Sequence, residues 1–190
     1  YTEHAENVAL ALRVCADLDV PRETALRGMW QAAPDPGAMA EHRVDFFGRE
    51  ILFVNGFAAN DPVSTERIWR LSLARRGAGR RTIAVFNCRA DRPDRSLQLG
   101  TCYARWPAAD HLVVMGTGTY LFARAAAAAG ADAAAAALCE GLAAREVFER
   151  IVGLCGARTL VMGMGNIGGS GLELAQHFRN RAVLEEEHRC

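Results

Sequence analysis

Apolar residues in this chain recur with two periods, and the switching between them predicts most of its elements. Val8, Ala11, Leu12 and Cys15 follow helical spacing, and Pro21 starts a second helix carrying Leu26 and Met29, so residues 1–33 read as two helices. The stretch QAAPDPGAM then breaks the pattern with two prolines and a glycine, the signature of a linker or hinge. Val44, Phe46 and Phe47 are predicted to pair through Gly48-Arg49 with the apolar run 51–54 as a hairpin. Beyond it, strand candidates at 82–87, 111–115 and 159–162 alternate with helices near 63–76, 94–105, 119–129, 142–154 and 170–180. The alanine runs at 125–129 and 133–137 read as packed helix. The expected fold is therefore α/β, a mostly parallel sheet with helices on both faces, preceded by a short helical segment.

In such sheets ligands bind beyond the carboxyl ends of the strands, and the pattern offers several candidate loops there. The apolar run 51–54 leads into Asn55-Gly56-Phe57-Ala58-Ala59-Asn60, after which Asp61 is a good N-cap and Pro62 suits the first helical position. A helix start presents free amides to an anion, and Asn55, Asn60, Asp61 and Ser64 add donors and acceptors for a phosphate, a ribose or a carboxylate. An ordinary capped turn explains the same residues, since a cap needs only one of them. Past the strand 82–87, NCRADRPDR gathers Arg89, Asp91, Arg92, Asp94 and Arg95. Arginine forks bind carboxylates or phosphates in pairs of hydrogen bonds, with aspartates to hold them, although a solvated loop of internal ion pairs has the same composition. Gly163, Gly165 and Gly168 fit G-x-G-x-x-G, but in the last strand-to-helix turn rather than the first. Gly116-Thr117-Gly118-Thr119 reads as a small anion nest or, more simply, a tight turn.

Composition narrows the chemistry. With 22 basic and 22 acidic residues the formal charge is zero, which gives no electrostatic footprint for nucleic acid or a membrane surface. The apolar tracts are too short to span a bilayer, and the start YTEHAEN lacks the basic and apolar regions of a signal peptide. The 6 cysteines form no C-x-x-C pair and read as reduced core thiols of a cytosolic protein, and the 5 histidines show no ligand spacing for zinc. All 22 basic residues are arginine. A chain without lysine contains no P-loop, no pyridoxal Schiff base and no lysine nucleophile.

The run FVNGFAANDPVSTERIW resembles the loop in the C-terminal domain of Mur-type amide ligases, and most of all that of the B-subunit family of bacterial poly-γ-glutamate (capsule) synthases. EHAEN, VFNCRADRPDRSLQ and VMGMGN resemble the same family in the same order, and together these stretches span nearly the whole chain. The resemblance implies a Rossmann-like C-terminal ligase domain over residues 37–190, preceded at 1–36 by the helical end of an ATPase domain. It implies ATP-dependent polymerisation of glutamate through γ-linkages by way of an acyl phosphate. Asn60 and Asp61 would then be catalytic, and His4, Asn7 and Asn55 would meet the nucleotide. Ser64, Arg89, Asp91, Arg92, Asp94, Arg95, Gly163, Gly165 and Asn166 would meet the substrate. No metal site is expected on these residues, because the Mg2+ that travels with ATP would take its main ligands from the missing domain. The implied partners are glutamate and poly-γ-glutamate, the ATPase domain upstream or on another chain, and the membrane subunits of a capsule synthase complex. The implied location is cytoplasmic, at the membrane periphery through those subunits, with no nucleic-acid partner and with a homo-oligomer also compatible.

Some positions depart from the family pattern. Met164 and Asn166 stand where many relatives have Lys and His, and Ala38 where many have Arg. Other readings stay open: a folate-polyglutamylating or peptidoglycan-precursor ligase, a nicotinamide-binding Rossmann oxidoreductase resting on GMGNIGG, or a non-catalytic assembly domain. NGFAANDP in place of the D-x-A-H-N-P of those other ligases favours the capsule polymerase.

The missing lysine generates a first prediction. The purified 190-residue chain alone is expected not to hydrolyse ATP, and metal-dependent turnover from it would overturn this.

Overall fold

The computed structural model of the protein describes residues 5–32, 39–132 and 136–183. A helical hairpin, α1 (Ala5–Asp17) and α2 (Arg22–Gln31), comes first. It is followed by β1 (Ala40–Phe46), β2 (Arg49–Asn55), α3 (Pro62–Arg76), β3 (Arg81–Cys88), α4 (Pro93–Tyr103), β4 (His111–Gly116), α5 (Thr119–Ala128), β5 (Ala137–Glu140), α6 (Ala144–Leu154), β6 (Arg158–Gly165) and α7 (Ser170–Arg179). The strands form one sheet in the order β1-β2-β6-β3-β4-β5, in which only the β1–β2 pair is antiparallel. The mostly parallel α/β sheet expected from the sequence is what forms.

Alternation along β3 explains why both faces must be covered. Ile83 and Val85 point to one side, where they join Ile51, Phe53, Val113 and Val161 beneath Val147, Phe148 and Ile151 of α6 and Leu174 and Phe178 of α7. Ala84 and Phe86 point to the other side, with Val114, Leu160 and Met162, beneath Ile68 and Trp69 of α3, Leu99 and Tyr103 of α4 and Phe122 of α5. Each fully buried aliphatic or aromatic side chain here contributes about 1.5–3 kcal/mol, so this two-sided core dominates the stability. Trp69 satisfies its indole N–H by donating to the carbonyl of Pro107 at 2.9 Å.

Several expectations need correction. The hairpin turns at Phe47-Gly48 rather than at Gly48-Arg49: Phe46 pairs with Arg49, and both turn residues take positive φ, 48° and 75°, as a two-residue turn matched to strand twist requires. The second helix begins at Arg22, with Pro21 as its N-cap. The run at 133–137 is not a helix throughout, because Ala137 opens β5 and pairs with Val113; the need for a strand beside β4 overrides alanine's helix preference. Residues 133–135, the linker at 33–38 with Ala38, and His4 lie outside the described residues.

The last strand also runs further than its apolar pattern, to Gly165, so Gly163 is a strand residue paired with Asn55 and Val85. A Cβ built on Gly163 would lie 2.4 Å from the ring of Phe57, which is fully buried, so the glycine makes room for that ring. Gly163→Ala is accordingly expected to destabilise the fold by about 1–3 kcal/mol in chemical denaturation, with part of the loss recovered by adding Phe57→Leu. An unchanged unfolding midpoint would refute this packing role.

Candidate functional site

Five parallel strands end on one edge of the sheet, and the pairing register brings their C-terminal ends side by side: Asn55 with Gly163, Asn87 with Gly165, Cys88 with Gly116, and Gly116 with Glu140. The candidate loops of the sequence therefore come together there.

In the loop after β2, the amide of Gly56 donates to the carbonyl of Gly163 at 2.9 Å and extends the ladder by one step. Asn55 is buried, and its Oδ1 accepts from the amide of Phe57 at 3.4 Å, which turns the chain so that Phe57 drops into the core. The hydroxyl of Thr65, also buried, lies 2.9 Å from the carbonyl of Ala59 and 2.6 Å from that of Asp61, and fixes the far end of the loop. Asn60 is half-buried and Asp61 exposed. Asp61 caps α3, its Oδ1 accepting from the Ser64 amide at 2.9 Å, with Pro62 in the first turn. That amide holds the Asp61 carboxyl below its ordinary range, against the opposing effect of partial burial.

The loops after β3 and β6 interlock. Asn87, buried at the end of β3, donates its side-chain amide to the carbonyls of Asn166 at 2.6 Å and Gly168 at 3.1 Å. Asn166 is buried too; its backbone amide donates to the Asn87 carbonyl at 3.1 Å, and its Nδ2 lies 3.3 Å from the same oxygen. Its Oδ1 accepts from Nη1 of Arg95 at 2.7 Å. Arg89 pairs with Asp91 through two parallel bonds, Nε to Oδ1 at 2.9 Å and Nη2 to Oδ2 at 2.7 Å. The guanidinium bonds to Asp91 hold that carboxyl below its usual range. Arg92 and Asp94 are exposed at the start of α4. Beside them, burial pushes the Cys88 thiol up to about 11, too high for a thiolate nucleophile near neutral pH.

The glycine-rich stretch is used for packing. Gly163 accommodates Phe57, and Gly165, at φ 90°, would place a Cβ 2.8 Å from the Asn87 carbonyl. Both are buried strand residues rather than loop residues open to a ligand, which corrects their expected place and removes the physical ground for a dinucleotide fingerprint. The nest at the start of α5 forms, but the protein fills it with its own carboxylate. Glu140 accepts from the amides of Gly118 and Thr119, each at 2.7 Å, and from the Thr119 hydroxyl. Partial burial would raise the Glu140 carboxyl, and these bonds outweigh it and hold the group low.

Asn7 is exposed on α1, and its neighbour Glu6 pairs with Arg67 of α3 at 3.5 Å. Among the described residues no group of three or more His, Cys, Asp or Glu side chains could hold a metal ion, and no helix is long and apolar enough to cross a membrane.

A family model described as the poly-gamma-glutamate synthase CapB C-terminal domain matches residues 41–181. The chain belongs to this family. It is 35% identical over 170 residues to the "Capsule biosynthesis protein CapB" of Bacillus anthracis, covering 90% of this chain and 36% of that one. It is 33% identical over 185 residues to the "PGA synthase CapB" of Bacillus subtilis (strain 168), covering 97% and 47%. The chain thus spans less than half the length of these relatives. Among solved structures it resembles MurF from Acinetobacter baumannii, with TM-score 0.57 and 15% identity over 85% of this chain and 35% of that one. It also resembles a murein peptide ligase from Psychrobacter arcticus 273-4, with TM-score 0.55 and 18% identity over 97% and 39%. Those two likenesses establish a fold shared with Mur ligases.

Sequence reasoning assigned no role to Asn87, Thr65 or Glu140. Asn87 closes a strand and Glu140 follows an alanine run, so only their distant partners reveal them; Thr65 sits four residues after the cap, where a hydroxyl reaching back to Asp61 was a readable signal.

Asp61 permits a stability test. Asp61→Asn is expected to keep the fold's stability near neutral pH, whereas Asp61→Ala loses about 1 kcal/mol. Because the native carboxyl is depressed, its contribution is full above the ordinary carboxylate range and is lost as pH falls through the lowered value. Both variants should therefore show a shallower acid limb in the melting temperature against pH, and an unaltered limb would deny that Asp61 is held as an anion.

Proposed function

We propose that this chain is the C-terminal part of an ATP-dependent amide ligase that joins glutamate residues through γ-linkages. Membership of the CapB C-terminal domain family and a Mur-ligase fold support the reaction class. The observation that carries the reading is local: Arg92 and Arg95, neither in an ion pair among the described residues, share one sheet edge with the Asn60-Asp61 turn at the start of α3. Arginines outside any ion pair suit a substrate made of carboxylates.

In this reading the γ-carboxylate of the polymer end is activated as an acyl phosphate. The amine of the incoming glutamate attacks its carbonyl carbon, and phosphate leaves. This chain orients the two reactants with the 89–95 loop and the 60–64 turn, and excludes water by closing against the domain that supplies the nucleotide. With no lysine and no metal-binding cluster among the described residues, Mg2+ and the phosphates of ATP would take their main ligands from outside this chain.

Helix α1 buries none of its residues, and Leu10, Val14, Leu18 and Trp30 of the helical hairpin are exposed. That apolar surface supports reading residues 1–36 as the end of a preceding ATPase domain, with His4 and Asn7 toward the nucleotide and 37–190 as the ligase domain proper. A cytoplasmic enzyme held at the membrane by capsule-synthase subunits, and a homo-oligomer, belong to the same proposal.

The test uses the enzyme joined to its nucleotide-binding part, supplied with ATP, magnesium and labelled glutamate. Wild type is expected to build γ-linked polymer with release of ADP and phosphate. Asp61→Asn, melting normally, is expected to lower kcat/KM at least about tenfold, a loss of about 1.4 kcal/mol. A wild-type enzyme that incorporates no glutamate when given ATP would overturn the reading.

A further inference from the structure

The arginines of the β3–α4 loop are not equivalent. Arg89 spends its fork on Asp91, two residues away, so its charge is neutralised inside its own loop. Arg95 is half-buried, and its Nη1 donates at 2.7 Å to Asn166 Oδ1, a neutral acceptor; no ion pair involves it among the described residues.

Asn166 is held so that it can only accept at that point. Its Nδ2 faces the Asn87 carbonyl at 3.3 Å, which assigns the amide orientation and aims Oδ1 at Arg95. Asn87 grips the same loop from below through the carbonyls of Asn166 and Gly168. The surrounding glycines leave room for this arrangement: a Cβ on Gly171 would lie 2.7 Å from Asn87 Nδ2, and one on Gly168 would lie 2.5 Å from Arg89 Nη1. A buried amide pair thus fixes the direction of a guanidinium while leaving its charge uncompensated. A half-buried cation without a counter-ion is unfavourable until an anion arrives.

We propose that Arg95, rather than Arg89, receives a carboxylate of the substrate, and that Asn166, anchored by Asn87, is its positioning residue. The assignment rests on the glutamate-ligase reading and names the arginine and the device that aims it. It also gives a reason for a neutral partner: a carboxylate at position 166 would hold the fork as well and occupy it.

The experiment measures KM for glutamate, kcat and melting temperature in the enzyme joined to its nucleotide-binding part. Asn166→Ala is expected to raise KM about tenfold with kcat changed by less than about twofold. Asn166→Asp, which places a negative charge against Arg95, is expected to raise KM further, to about a hundredfold, matching Arg95→Gln. Arg95→Gln/Asn166→Ala should be no worse than Arg95→Gln alone, because Asn166 acts through the arginine. Arg89→Gln should raise KM clearly less than Arg95→Gln does, because the Arg89 fork is already taken up by Asp91. Arg95→Gln and Arg89→Gln alter partly exposed side chains, so their comparison decides the matter even if the Asn166 variants fold poorly. Multiplying losses in the double variant, an Asn166→Asp enzyme as good as wild type, or a larger effect from Arg89 than from Arg95 would each overturn the assignment while the wild type still polymerises glutamate. A wild type that adds no glutamate removes the ligase reading and the assignment with it.

Discussion

Insertion of β6 between β2 and β3 is the constraint on which the rest of the molecule depends. It is the last strand among the described residues, yet it pairs with Glu50 to Asn55 on one side and with Arg81 to Asn87 on the other. Until it docks, β2 and β3 have no contact through the sheet, and the loops that follow them have no common edge. Such pairing is long-range and carries a loop-closure cost before its hydrogen bonds and buried surface form. The site therefore cannot exist as a local motif. Asn87 finds its partners 79 and 81 residues away, and Gly56 continues a ladder that ends on Gly163.

Once those strand ends are assembled, the electrostatics of the edge is decided by subtraction. A parallel sheet gathers helix starts, and their unpaired amides, on one side. Two of these starts are satisfied internally, α3 by Asp61 and α5 by Glu140, and Arg89 is satisfied by Asp91. At the start of α4, Arg92 and Arg95 make no ion pair among the described residues, although Asp94 stands in the same turn and Arg92 acts on the charge of Asp91. Net charge near zero says nothing about this, because the balance is struck residue by residue at contacts of 2.7–2.9 Å.

The periodic parts of the fold were legible in the sequence because burial imposes their period. Central strands covered on both faces become unbroken apolar runs, as from Ile83 to Phe86, and the helices over them keep an apolar stripe. The Asp61-Pro62 helix start was legible because a cap is a local bond. What stayed hidden lacks a local cause. Strand β5 is four residues long at an edge, and its alanine carries a preference for the opposite structure. Asn87 and Glu140 look like any polar residue at a strand end until residues far along the chain are set against them.

Four glycines of GMGNIGGSG, Gly163, Gly165, Gly168 and Gly171, sharpen the point, since the same letters admit two physical causes. A dinucleotide turn needs glycine so that a phosphate can approach the backbone. Here the approaching groups belong to the protein: the ring of Phe57 at Gly163, the backbone of Asn87 at Gly165, the guanidinium of Arg89 at Gly168 and the side chain of Asn87 at Gly171. Each glycine lets another element close on β6 or on the turn after it, and each neighbour is one that places the 55–61 turn or the 89–95 loop. Absent Cβ atoms along the last strand and turn thus set where the arginines and the cap can stand, so packing there and geometry at the candidate site are one problem. Replacing such a glycine would be felt at the arginines although no charged group had changed.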